Sequence, residues 1–535
     1  MGIFDKIRQG VRRLTADLNL GRSYKDVFEL DGVPPFRTFY NFCIFPAKYI
    51  YRGLYKPWHI VPAPTVENDL ATRQLFRLNM AKAVCAEMAG LVWNETASVN
   101  ISRGDVIDEN DPLERFVHDV LDENNFWTKM QEHIEQSAAL GGGALKVYVD
   151  GDHADDGTIV KGTEHICIDY CMADQFIPTS WDNAEVREAV FVSREAKDGY
   201  YYTRLEWHKW DGDTYVISND LYRADKPSDE MPDSQDILGV WYPLAAVYPN
   251  IAPVTPINGL TKSLFSYYRT PMANNVDDNS PLGVPIYANA FDTLHALDIC
   301  YDSLVREFRL GKRRLVVPAK MLRTVIDPQT GKMRRFFDPN DESYEALATD
   351  TDESLTIKEI APELRVADHV HGINSNLSVL CLQTGLSAGT FTFDLNQGIK
   401  TATEVISENS KTYKTINNFQ TQIMAAIRRL VENIITLGAL YDIQYDGQSI
   451  RALTAGDYAV TVSMDDAVLE DAQTRMQRGI DMMANGVLSK HTFLTDPKYG
   501  VGLTDEKADA ELQQIADEGK ITTRALDIFG AQTIE

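Results

Sequence analysis

The stretch that decides the fold runs from Gly385 to Tyr441, GLSAGTFTFDLNQGIKTATEVISENSKTYKTINNFQTQIMAAIRRLVENIITLGALY. Its opening part, to Lys400, is rich in glycine and follows no period, which predicts a mobile loop. Thr401 and Glu404 then make a capping box, the signature of a helix start. Beyond them Val405, Ile406, Tyr413, Ile416, Phe419, Ile423, Ile427, Leu430, Ile434, Leu437 and Tyr441 fall on one helical stripe. At the standard rise such a helix is on the order of 55 to 60 Å long. A rod of that length behind a glycine-rich loop points to an elongated scaffold rather than a compact enzyme.

Upstream, residues 366–383 have the pattern of a shorter helix. Before that, Ile286, Ala290, Leu294, Leu297, Tyr301, Leu304 and Phe308 form a second apolar stripe, with Asp292, Asp298, Asp302 and Arg306 on the opposite, polar face and Gly311 as a stop. Between these helices the charges segregate. Lys312, Arg313, Arg314, Lys320, Arg323, Lys332, Arg334 and Arg335 face a single acid, Asp327, over 312–335. Over 338–354 the acids Asp338, Asp341, Glu342, Glu345, Asp350, Asp352 and Glu353 have no base among them. Such blocks pair within a small module or between neighbouring subunits, unless both are solvated faces.

The N-terminal half mixes elements. Residues 67–91 read as a helix, 92–101 as extended, 113–140 as one helix broken at Gly141, Gly142 and Gly143, and 144–149 as a strand. In RLEWHKWDGDTYVISNDLYR, residues 204–223, an Asp211-Gly212 pair between aromatic and β-branched runs predicts an antiparallel hairpin. After the long helix, 457–464 reads as a strand and 466–485, 489–495 and 504–519 as helices. Ile3, Phe4, Ile7, Val11 and Leu14 give the N-terminus an amphipathic helix pattern, better suited to docking on its own protein than to a membrane surface. The fold class expected is therefore α+β.

The bulk properties narrow the function. With 535 residues, 44% hydrophobic and 24% charged, the chain has material for more than one core. A net charge of -26 argues against holding nucleic acid by phosphate neutralisation, though it is compatible with a wall that repels DNA sliding past it. Six scattered cysteines, Cys43, Cys85, Cys167, Cys171, Cys300 and Cys381, suggest a reducing cytoplasm without disulfides. The most apolar stretch, residues 39–51, is too short to span a bilayer.

Several motifs invite chemistry. GLSAG, residues 385–389, has the spacing of a nucleophile elbow with Ser387 as nucleophile and His491 as the sole downstream histidine to serve as base. That elbow needs a strand before it, whereas helix-like sequence precedes Ser387. GGGALK, residues 141–146, lacks the phosphate-loop spacing and joins helix to strand, so its glycines are better read as packing a tight turn. DGDHADDG, residues 150–157, puts Ala154 and Thr163 where calcium ligands would be needed, and reads as a hairpin turn. His165, Cys167 and Cys171 make half a metal site, and Asp368, His369 and His371 another small cluster, each without a second pair. No catalytic, cofactor or metal residue is therefore assigned.

Two blocks, SLFSYYRTPMANNVDDNSPLGVPIYANAFDTLHALDICYDSLVREFRLGKRRLVVP and TATEVISENSKTYKTINNFQ, together with GGGALKVYVD and the hairpin at Asp211, resemble the portal proteins of long-tailed phages of Gram-positive hosts. The resemblance spans nearly the whole chain and is weakest at both ends. It implies a non-enzymatic subunit of a twelve-membered ring at one capsid vertex, through which double-stranded DNA is packaged and ejected. It implies a wing over 1–284, a stem helix over 285–310, a clip over 311–365, a second stem helix over 366–383, a tunnel loop over 384–400 and a spine helix over 401–441. A wing strand returns over 442–465, and a helical crown fills 466–535. Thr390, Phe391, Thr392, Phe393, Asn396, Gln397 and Lys400 would then meet DNA in the channel. Lys312, Arg313, Arg314, Arg334, Arg335, Asp341 and Glu342 would make subunit or motor contacts in the clip. The implied partners are further copies of the chain, the terminase large subunit, major capsid and scaffolding proteins, and a head–tail connector. The implied location is the virion, with the host cytoplasm during assembly, no membrane and no cofactor. The competing readings are an acidic intracellular serine hydrolase built on Ser387 and His491, and a different structural protein of the virion head.

Overall fold

The computed structural model describes residues 23–63, 71–93, 97–103, 106–107, 111–154, 159–183, 185–225, 238–312, 314–316, 323–326, 333–336, 358–360, 362–393, 402–464, 472–496, 500–501, 503 and 507–515. Two compact units divide the chain. One comprises Met1–Ile44, Cys85–Pro285 and Thr401–Glu535, and the other Phe45–Val84 and Ile286–Lys400. The α+β class is as expected.

In the first unit, strands Phe176–Asp182, Glu185–Lys197, Tyr200–Asp211 and Thr214–Asp225 run as an antiparallel meander, and Val240–Tyr242 and Val254–Ile257 both pair with the last of them. Asp211 sits opposite Thr214, so the two-residue turn is Gly212-Asp213, with Gly212 at φ +60°. The expected hairpin is present, and glycine at the first turn position supplies the positive φ that matches the twist of the strands. Gly142–Asp150 lies between Phe265–Arg269 and His165–Met172 in a three-stranded sheet. Ala459–Ser463, within the residues read as a strand, pairs with Ser98–Arg103.

The Ala402–Leu440 helix packs on the 265–269, 142–150 and 459–463 strands. Of its predicted stripe, Ile416, Phe419, Ile423, Ile427, Leu430, Ile434 and Leu437 are buried. Each such side chain contributes roughly 1.5–3 kcal/mol over an exposed one. Val431 and Ile435 are buried as well, and Asn433 Nδ2 donates to the Ser263 carbonyl at 3.1 Å. The C-terminal half is thus covered on more than one face. The capping box and the side chains of Val405 and Ile406 lie outside the described residues, as do residues 3–14.

Two predicted helices are revised. Residues 113–140 form two, Pro112–Glu123 and Phe126–Leu140, because Asn125 takes a left-handed φ of +51°. Asn124 uses its side chain at the break, donating to the Val120 and Ile166 carbonyls and accepting from the Ile168 N–H. Within 67–91, residues Ala71–Gln74 are a strand paired with Ile60–Ala63, and the helix begins only at Met80, after Asn79 at φ +53°.

Close backbone packing explains the glycine triplet. Gly141 sits at φ +93°, and a Cβ on either Gly141 or Gly283 would overlap the other's carbonyl oxygen. Nearby, a buried polar chain joins the three-stranded sheet to the meander. Lys146 Nζ reaches Glu206 Oε1 at 3.0 Å and Asp169 Oδ2 at 3.2 Å, and His208 Nε2 reaches the same Glu206 oxygen at 2.8 Å. A carboxylate only accepts, so Nε2 carries the proton and Nδ1 accepts from the Tyr215 hydroxyl at 2.7 Å. Burial alone would raise the Glu206 carboxyl, yet Lys146 above all holds it far below its ordinary range. Burial also lowers His208, which keeps it neutral.

Candidate functional site: a helix pair and the loop that leaves it

In the second unit the Phe291–Leu310 helix packs against Val366–Thr384. Thr293 Oγ1 donates to Gln383 Oε1 at 2.8 Å, Asn376 Nδ2 lies 3.8 Å from Cys300 Sγ, and His369 Nε2 lies 3.6 Å from Glu307 Oε2. These contacts step seven residues at a time in opposite directions, so the helices are antiparallel and meet in heptad register. Arg365 closes the far end with bonds of 3.2 and 3.1 Å to the two Glu307 oxygens, and its guanidinium first of all pulls that carboxylate down to about 2. Leu294, Leu297, Ile373, Leu377 and Leu380 fill the seam.

The polar face of the first helix is partly a buried one. Asp298 and Asp302 are 7% and 3% exposed. Asp302 takes a bidentate fork from Arg73 at 2.9 and 2.8 Å and the Phe76 N–H at 3.2 Å. Asp298 takes the Leu78 N–H at 2.8 Å and faces His59 Nε2 at 2.9 Å. Burial raises the Asp302 carboxyl, but the Arg73 and Phe76 bonds outweigh it and the net effect is a lowered value. Two carboxylates on one helix thereby fasten the segment from His59 to Leu78. At the C-terminal end of the helix the stripe is open instead, with Phe308 exposed.

Gly385, at φ +81°, ends the second helix, and the Leu386 N–H caps the Cys381 carbonyl at 2.9 Å while Leu386 itself is fully buried. Thr390 closes a turn onto the Ser387 carbonyl at 2.8 Å, and the Phe393 N–H returns to Asn374 Oδ1 at 2.9 Å. Residues 385–393 therefore fold back along the helix they leave. Thr390 and Phe391 are half-buried, and Thr392 and Phe393 are exposed. Asn396, Gln397 and Lys400 lie outside the described residues.

Helix, not strand, precedes Ser387, and its side chain is buried in a helix C-cap, so the nucleophile elbow is not formed. His491 is half-exposed and lies 3.4 Å from Asp509. Of the charged blocks, Arg314 lies on a strand paired with 358–360, and Arg334 and Arg335 on one paired with 323–326. Lys312 is exposed. Arg313, Asp341 and Glu342 lie outside the described residues. No helix among the described residues is long and apolar enough to cross a membrane.

A family model described as phage portal protein, SPP1 Gp6-like, matches residues 51–524. The chain belongs to the phage portal family. It is a portal protein of the virion, and the family's role is structural. A solved structure described as the neck of an empty GTA particle, computed with C6 symmetry, is similar at 10% identity over 78% of this chain and 87% of that chain, with a TM-score of 0.35. No curated protein matches the sequence. Sequence reading placed both helices of the pair in this portal protein, but it missed the residues that set their register, namely Thr293, Glu307, His369, Asn376 and Gln383. Their seven-residue spacing was the available signal.

Proposed function

We propose that this portal protein forms a ring of about twelve copies around an axial channel that passes double-stranded DNA into and out of the capsid. The observation that carries the reading is the family match over 51–524, joined to a registered helix pair whose second helix ends at Gly385, where the glycine-rich sequence begins. The 291–310 and 366–384 helices serve as channel-lining stem, and the loop presents Thr390, Phe391, Thr392, Phe393, Asn396, Gln397 and Lys400 to the DNA. Apolar side chains left uncovered on the pair, Ile299 at 45%, Val379 at 45% and Leu382 at 67% exposure, suit burial against neighbouring copies. The net charge of -26 per chain keeps DNA from sticking to the wall.

The basic block with Lys312, Arg313, Arg314, Arg334 and Arg335 and the acidic block with Asp341 and Glu342 join adjacent subunits or receive the terminase large subunit, and later a connector protein. The wing meets capsid and scaffolding proteins. The chain itself performs no catalysis. Reversing Arg313, Arg314, Arg334 and Arg335 to glutamate should reduce ring yield or packaging, and unchanged ring yield together with unchanged packaging would remove the clip assignment. Shortening the loop between Gly385 and Gly398 should spare rings yet impair packaging or retention of DNA. Normal packaging by that variant would remove the tunnel-loop assignment.

A further inference from the structure

We propose that Asp150, His165 and Cys167 bind a divalent metal ion of the zinc class at the open end of the 142–150/165–172 hairpin. The inference stands apart from the ring reading, because all three residues belong to the first unit and the helix pair belongs to the second. Strand register explains why these residues meet. Asp150 is the cross-strand partner of His165, and Tyr148 is the partner of Cys167 two pairs further in. Side chains two apart on a strand share a face, so Asp150, His165 and Cys167 project from the same side of the ladder. One ligand atom from each lies within 4.8 Å of the others.

The trio differs from the half-site the sequence suggested. Cys171 pairs with Ala144, four pairs further along, and is buried beside Lys146. It drops out, and Asp150 of the neighbouring strand takes its place. The resulting set of one imidazole nitrogen, one thiolate and one carboxylate oxygen suits zinc, with the fourth position left to solvent.

The surroundings of each ligand favour the same chemistry. His165 Nδ1 lies 3.3 Å from the Thr163 carbonyl, which can only accept, so Nδ1 carries the proton and Nε2 keeps the lone pair. One Asp150 oxygen takes the Gly151 N–H at 2.9 Å, which leaves the other for a cation. Tyr148 hydrogen-bonds the Cys167 sulfur. Burial first, and the negative charges of Asp150 and Glu123 after it, hold the thiol above its ordinary range, and a bound cation reverses both effects. On binding, the metal–sulfur bond forms as the thiol proton passes to solvent, so affinity rises with pH.

The test uses the full-length protein, reduced, stripped with chelator and titrated with Co2+. About one equivalent per chain should produce a thiolate-to-cobalt charge-transfer band that Zn2+ then displaces. Cys167→Ser should abolish the band, while His165→Ala and Asp150→Asn should each weaken binding at least about ten-fold. Cys300→Ser should leave it intact. Circular dichroism should show each variant folded, because His165 is exposed and Asp150 and Cys167 are only partly buried. Absence of the band, its persistence in Cys167→Ser, or unchanged affinity in either of the other two ligand variants overturns the assignment.

Discussion

Replacing Asp302 by alanine should free the segment around Phe76 from the 291–310 helix. The carboxylate belongs to a buried side chain and receives both arms of the Arg73 fork, whose side chain is 31% exposed, together with the Phe76 N–H. Hydrogen bonds to a charged group each contribute about 1.5–3 kcal/mol, and Arg73 can partly rehydrate, so the net local loss comes to about 3 kcal/mol. At about 1.4 kcal/mol per decade that is roughly a hundred-fold rise in the opening equilibrium. Hydrogen–deuterium exchange of the full-length protein reads this directly at residues 71–78. Exchange within about three-fold of wild type in that segment would refute the reasoning.

The sign of the pH dependence follows from the same contacts. A carboxyl held below its ordinary value contributes its full share above that value and loses it as pH falls through the folded one. The gap between wild type and Asp302→Ala should therefore persist at neutral pH and close only below the usual carboxylate range.

Lys146→Met leaves Glu206 buried without its chief counter-charge, and should lower stability by about 3–5 kcal/mol in urea unfolding, with much of the loss recovered in Lys146→Met/Glu206→Leu. Equal loss in the single and double variants would contradict this. Gly283→Ala drives a methyl group into the Gly141 carbonyl and should yield little soluble protein, whereas Gly259→Ala, at φ +85° with open space around it, should cost only about 1 kcal/mol. Gly385→Ala places a side chain at φ +81° and should cost about 1 kcal/mol, with faster exchange at Leu386.

Local periodicity made the rods legible, and residue pairs distant in sequence account for most of what was not. The stripe from Ile416 to Leu437 needed only the 3.6-residue period, and the Asp211-Gly212 turn only its own chemistry. The break at Asn124-Asn125 was present in the letters, but an apolar pattern running through it concealed a side-chain network. Asp298 and Asp302 look like a solvated face because their partners, His59 and Arg73, lie more than 200 positions away. Asp150 could not be joined to His165 and Cys167 without strand register. Ser387 shows the converse, since its spacing fits a motif while the preceding helix forbids the geometry.

Imaging the purified full-length protein by electron microscopy, with mass photometry of the same sample, tests the central claim most directly. The account predicts rings with an open axial hole, built from about twelve copies of the 60.1 kDa chain. Particles that remain single chains under every condition tried, with no hole, would contradict it.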